Sequence, residues 1–419
     1  MKKFANYCIA LIFLLGFIAC QENKPSRFHA KLPILNGDTL HEDQPYQVAV
    51  DYLGQHVPII QLRDSTGDAG IALAPKWNAR VLTSSLLQGG DSYGWLHFDL
   101  VAQLMPQSYN SNWGGEDQVN LLFQKIPGDT GVHSLDNLHG FEATGLDTAS
   151  FRLIHQSKSE ISLEKTLNFL QDDSIATALK LKRNLRIIAR RDVSNFLGID
   201  IPRAVKAVAF ESENILTNTG EHRWDTAHGS ISMRVKGMFP IDSPMVALIP
   251  LNKKFKSLKE VESLIKWDGD TFPGCRLINN RILAFPLGDS LASRIQVPFS
   301  AAMNFIGIYN GNLQTLTIIQ FSKAPRSGWY FPLQYDGDQF MVDGPILTLK
   351  NSGKIEDSIS TRPYLAVTTY APIQQLGKGK SAWHYHRTIH LNGNRRQLSN
   401  LLQGLFNARL KELEDKTGE

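Results

Sequence analysis

Residues 207–251 read "AVAFESENILTNTGEHRWDTAHGSISMRVKGMFPIDSPMVALIPL", and this stretch decides the fold class. Three runs rich in β-branched and apolar residues, "AVAFESENILTN", "GSISMRVKGM" and "PMVALIPL", are separated by Gly, Asn, Asp and Pro. Each reads as a short strand closed by a turn. Outward from it the pattern continues on both sides. Towards the N-terminus stand "YQVAVDYL", "AGIALAP", "RVLTSSL", "GWLHFDL", "QVNLLFQ", "SFRLIHQ", "EISLEKTLNFL" and "ATALKLKRNLRII"; towards the C-terminus stand "NRILAFPL", "TLTIIQF", "GPILTLKN" and "PYLAVTTYAPI". Strands at this spacing make an all-β sandwich or barrel.

Two segments break the pattern. "SLKEVESLIKW" carries Leu258, Val261, Leu264 and Ile265 at helical spacing, and "RRQLSNLLQGLFNARLKELEDK" carries Leu398, Leu401, Leu402, Leu405, Leu410 and Leu413. The second predicts a helix over about 394–416 that caps the sheet. With no linker between the strands, 46–419 reads as one large domain.

Just before that helix, "SAWHYHRTIHLNG" (381–393) sets His384, His386, Thr388 and His390 on one face of a strand and Trp383, Tyr385, Arg387, Ile389 and Leu391 on the other. The expectation is that the aromatic and aliphatic face packs, that His384 and His386 border a cleft, and that His390, about 13 Å beyond His386, belongs to other surroundings. No single metal ion spans all three histidines. No local cysteine or carboxylate completes a zinc site. No metal and no cofactor are expected.

At the N-terminus, Met1-Lys2-Lys3, the apolar run "CIALIFLLGFIA" and Cys20 followed by "QENKPS" form a secretory signal, too short for a spanning helix. "GFIAC" resembles a bacterial lipobox. That implies a lipoprotein signal peptide over 1–19, lipidation of Cys20, a flexible tether over 20–45, and a lipid anchor in the cell envelope, on the outer membrane, facing the periplasm or the surface. With Cys8 lost and Cys20 lipidated, Cys275 has no disulfide partner. Of 44 basic and 40 acidic residues, two lysines leave with the signal, so the cationic excess falls from four to two. That balance carries no nucleic-acid footprint.

"RVLTSSLLQGGDSYGWLHFDL" (80–100), "NWGGED" (112–117), the block 209–240 and the histidine strand occur in an order that resembles a family of mostly exported Gram-negative proteins of unknown function, related in fold to galactose mutarotase. The resemblance spans most of 46–410. It implies a galactose mutarotase-like supersandwich, a large antiparallel double sheet with a C-terminal helix, whose concave face binds sugars in relatives of known function. It supplies fold, not reaction. The chain departs from the family after "WGGED": a Gly-Pro-Glu-Gly-Gly segment is expected, and "QVNLLFQKIPGD" stands there.

Sugar chemistry needs a proton acceptor and donor, or for binding alone an aromatic platform among polar groups. The acid–base candidates are Glu116, His139 (in "HGF", similar to hexose-phosphate epimerases), His384 and His386. The binding candidates are Trp113 and Asp117 on the Gly-rich turn, Trp95 with His97, and Glu142. Carbohydrate or envelope glycan is the expected partner. An epimerase, mutarotase-like or lyase-like enzyme and a non-catalytic envelope scaffold are the alternatives, and a mutarotase Glu-Thr-Gln or Glu-Pro-Gln base motif is absent. No phosphate loop, His-Glu-x-x-His, Cys-x-x-Cys or Gly-x-Ser-x-Gly is present.

Overall fold

Leu179, Leu181 and Leu185 share one phase of strand Ala176–Ile187, and Phe210 and Leu216 share one phase of strand Lys206–Asn218. A period of two forces such residues onto a common face, which must be covered. The cover is a second sheet. The structure, a computed structural model, describes residues 45–86, 90–103, 113–124, 132–134, 150–170, 176–225, 230–242, 245–268, 274–288, 292–325, 328–330, 341–354 and 362–414. The expected signal peptide, Cys20, nearly all of the expected tether, His139 and Glu142 lie outside these residues.

Among the described residues the larger sheet has ten antiparallel strands and the smaller seven. The spatial order of the larger is Arg276–Ile278, Ile282–Leu287, Met245–Pro250, Phe305–Asn310, Thr315–Phe321, Ser381–Asn392, Lys206–Asn218, Ala176–Ile187, Glu160–Leu170, Arg152–Gln156. That of the smaller is Lys266–Asp268, Ser293–Pro298, Pro345–Asn351, Tyr364–Tyr370, Ser230–Pro240, Gln118–Gln124, Val132–Ser134. Two apolar clusters lie between them. One joins Ile295, Leu347 and Val367 of the smaller sheet to Ile249, Phe285, Ile308 and Phe321 of the larger. The other joins Val119, Leu121 and Met233 to Leu163, Leu181 and Phe210. A three-stranded sheet (Ile60–Arg63, Ala69–Ala74, Arg80–Leu86) packs near strand Lys206–Asn218. The expected all-β supersandwich is therefore present.

The C-terminal helix covers part of the larger sheet's outer face, setting Leu398, Leu401, Leu402 and Phe406 on Ile318, Ile389 and Leu391. It starts at Asn394 with a reciprocal capping box to Gln397. The expected single helix over 394–416 is two: Arg395–Phe406 and Leu410–Glu414, divided where Asn407 turns left-handed at φ 51°. Two segments expected as strands are also helical. "YQVAVDYL" opens a helix, Tyr46–His56, because Tyr46, Ala49, Val50 and Leu53 bury one helical face. "GWLHFDL" runs into the helix Phe98–Gln103. "SLKEVESLIKW" is helical only over Leu258–Glu262, capped by Ser257, before strand Lys266–Asp268 takes over.

Candidate functional site

A band of polar side chains crosses the interior between the two apolar clusters. It arises because the inward phase of three adjacent strands turns polar at the same level: Arg183 lies opposite Asn214, Asn214 opposite His384, and Ser212 opposite His386. The two carboxylates come from the Gly-rich turn. Gly114 and Gly115 have φ of 94° and 103°, and a Cβ at Gly114 would stand 2.0 Å from the Trp95 carbonyl oxygen. Only glycine lets the chain pass there and deliver Glu116 and Asp117 inward.

Asp117 receives a hydrogen bond from Arg183 and another, at 2.6 Å, from Ser212 Oγ. Arg183 also donates to the carbonyls of Asn78 and Ala79, at 3.1 and 2.9 Å. Burial alone would raise the Asp117 pKa. The Arg183 charge, with His386 and Ser212, outweighs it and holds the carboxyl below its ordinary value. His386 Nδ1 lies 3.2 Å from Asp117 Oδ2 without hydrogen-bond alignment, and its Nε2 has no hydrogen-bond partner among the described residues.

Glu116 receives the Ser84 amide, the Ser84 hydroxyl at 3.0 Å and a 2.7 Å contact with His390 Nε2. His390 Nδ1 is 2.7 Å from Thr317 Oγ1, and Tyr93 stacks on the imidazole at 4.3 Å. His384 spans the sheets, with Nδ1 2.7 Å from Ser322 Oγ and Nε2 3.1 Å from Thr369 Oγ1. Burial, reinforced by the neighbouring His386, drives its pKa down to about 3 against the opposing pull of Asp117.

Three expectations are corrected here. His384, His386 and His390 face the closed interior, not a cleft, and Glu116 and Asp117 have no exposed surface. His390 shares the band with the other two and is the histidine that meets Glu116. Trp383 and Tyr385 do not pack inward; Trp383 is 59% exposed. The reason lies in what covers each face. The C-terminal helix reaches Ile389 and Leu391 but not Trp383 or Tyr385, while the histidine face is covered by Thr369 and Phe239 of the smaller sheet and by Tyr93 and Glu116.

The remaining candidates have local roles. Trp95 is buried, and its Nε1 donates to the Arg362 carbonyl at 2.9 Å. His97 Nδ1 accepts from the Leu100 amide at 3.3 Å, beside the helix Phe98–Gln103. Trp113 packs on Trp77 at 5.0 Å, with the Arg80 guanidinium 5.9 Å from its ring. Arg183, Ser84, Ser212, Thr317, Ser322, Thr369 and Tyr93 were not singled out from the sequence. Arg183 carried a readable signal, being a cation in the phase of Leu179, Leu181 and Leu185.

The outer face of the same strands is open to solvent and differently built. Trp383 and Tyr385 lie nearly parallel, 13° apart with centroids at 6.0 Å. The Arg387 guanidinium lies 5.5 Å from the Tyr385 ring and 3.8 Å over Phe196. This makes a ladder of two aromatic rings and one guanidinium along one strand, closed by Phe196 of the helix Val193–Leu197. Glu211 holds its inner end, accepting from both Arg186 and Arg387. Trp383 is its outer end, opposite Ile215. Polar neighbours flank it: the Ser381 and Thr217 hydroxyls, 2.7 Å apart, and the chain Ser162–Asn184–Glu213, joined at 2.7 and 2.8 Å. An exposed indole among ordered hydroxyl, amide and carboxylate groups can stack on a flat apolar ligand surface and hydrogen-bond its rim.

Among solved structures, the chain is similar to a galactose mutarotase related enzyme from Lactobacillus acidophilus: 10% identity, 80% of this chain and 97% of that chain covered, TM-score 0.44. The aldose epimerase homologue from C. elegans gives 10%, 80%, 99% and 0.45, and a galactose mutarotase-like protein from Lactobacillus casei gives 8%, 80%, 100% and 0.40. These are likenesses of fold. No curated protein matches the sequence. A family model does, over residues 44–417, and on that match the chain belongs to the family of unknown function DUF6786.

Proposed function

We propose that the protein is an envelope-anchored lipoprotein that binds carbohydrate on the outer face of its larger sheet, at Trp383. The observation carrying this reading is the exposed indole that ends the stacked ladder, with ordered polar groups on both flanks. Such a ring presents an apolar plane to the C–H face of a pyranose, and the polar rim meets its hydroxyls. The anchoring half of the proposal rests on the lipobox-like "GFIAC" and on Cys20. The interior Glu116, Asp117 and histidines hold the fold on this reading, because each is sealed from solvent between two sheets.

The test is calorimetric titration of the detergent-solubilised full chain with a panel of mono-, oligo- and cell-wall saccharides, with Trp383→Ala in parallel. The expected result is binding by the native protein and at least tenfold weaker binding by the variant, about 1.4 kcal/mol. Stability should change by no more than about 0.5 kcal/mol, because the side chain lies at the surface. Absence of binding to every saccharide, or equal binding by the variant, contradicts the proposal.

A further inference from the structure

The outer face of strands Ser381–Asn392, Lys206–Asn218, Ala176–Ile187 and Glu160–Leu170 is laid out in cross-strand rows. From the C-terminal helix outward they run Arg387–Glu211–Arg186–Glu160, Tyr385–Glu213–Asn184–Ser162, Trp383–Ile215–Lys182–Glu164 and Ser381–Thr217–Lys180–Thr166. Every carboxylate in these rows is engaged. Glu211 is shared by two arginines, Glu164 is held by Arg152, Glu160 lies 3.4 Å from His155, and Glu213 accepts from Asn184. The cations are not symmetrically neutralised. Lys180 stands between Thr166 and Thr217; Lys182 stands between Ile215 and a glutamate already bound to Arg152. Neither forms an ion pair among the described residues. The rows hold four cations and four carboxylates, and the two cations without an ion pair, Lys180 and Lys182, lie at the end occupied by the exposed indole.

We infer that the ligand of this face is an acidic saccharide bearing uronate carboxylates. Its ring lies on Trp383 and Ile215, while Lys182 and Lys180 receive the carboxylates. The inference rests on the carbohydrate reading above and narrows it to a charge class. Ile215 extends the apolar floor from Trp383 towards Lys182, whose Cα is two strand spacings, about 10 Å, from that of Trp383. The two lysines are about 7 Å apart along their strand. Two mobile point charges at that separation suit carboxylates distributed along a chain better than one compact dianion. Ser381 and Thr217 supply hydroxyls at the Lys180 side, and Asn184 and Glu213 bound the other.

The experiment compares oligogalacturonate, oligoglucuronate and oligomannuronate with their methyl esters, which keep the backbone and remove the charge. Each is titrated calorimetrically into the full chain at low and moderate salt. The acid forms of at least one series should bind more tightly than the esters, and binding should weaken as salt rises. Lys182→Met and Lys180→Met should each weaken acid binding roughly fivefold and leave ester binding unchanged, since an exposed charge contact contributes up to about 1 kcal/mol. Equal affinity for acid and ester, or lysine variants without effect, overturns the inference while the carbohydrate reading survives. Binding of neutral saccharides alone does the same. Failure of every saccharide to bind overturns both.

Discussion

Replacing Arg183 by Met is expected to destabilise the protein by about 3–5 kcal/mol, because it strands the Asp117 carboxylate between two sheets with no counter-charge. Both groups are fully buried, so solvent offers Asp117 no substitute. The cost is not a measure of what the ion pair adds. Desolvating two charges offsets much of their attraction, and removing both leaves neither exposed to that penalty. Arg183→Met combined with Asp117→Leu should accordingly cost clearly less than the sum of the two single substitutions. Denaturant midpoints of the four proteins give the comparison. Additive costs would mean that Arg183 and Asp117 stabilise the interior independently, contrary to the network described.

The second large effect is acid sensitivity. His384 is kept neutral in the folded protein, with its pKa pushed down to about 3, whereas the unfolded chain protonates it near the ordinary value of 6.5. Between those limits the unfolded state binds the additional proton, so stability rises with pH and falls as pH drops below about 6.5. One such group changes stability by up to about 1.4 kcal/mol per pH unit, or roughly 3 kcal/mol by pH 4. Asp117 acts in the same direction at lower pH: its folded pKa lies below the ordinary value, so its contribution is present above the unfolded pKa and lost as pH falls through the folded one. Urea unfolding from pH 7.5 to 4 should show this decline, and His384→Gln should flatten the upper part of the curve. A native stability that stays level from pH 6.5 to 4.5 would contradict the burial of a neutral His384.

The fold was legible because its signals are local. Strand runs such as "AFESENILTN" carry their own period and turn residues, and the helix at Arg395 carries its capping residues in order. The helix at Tyr46 stands where a strand is expected. Within "YQVAVDYL" the four buried residues satisfy helical spacing, but their β-branched neighbours also fit a strand, and only packing against the N-terminal sheet decides. The histidine strand has the expected alternation, but the face that is covered throughout is the histidine face. Period gives two faces without saying which is covered. Where the C-terminal helix stops, how the carboxylates of "WGGED" turn inward, and that Arg183 waits opposite Asn214 are all long-range facts. Glu116 meets His390 rather than the His384 and His386 expected beside it, and Trp383, expected to pack, is exposed.

The central claim is that the outer face at Trp383 binds carbohydrate while the interior carboxylates and histidines maintain the sandwich. A crystal structure with a bound saccharide tests it most directly. The account predicts a sugar ring stacked on Trp383 beside Ile215 and Lys182, with Glu116–His390 and Asp117–Arg183 unchanged inside. A sugar found instead between the sheets, in contact with Glu116, His384 or His386, would contradict it.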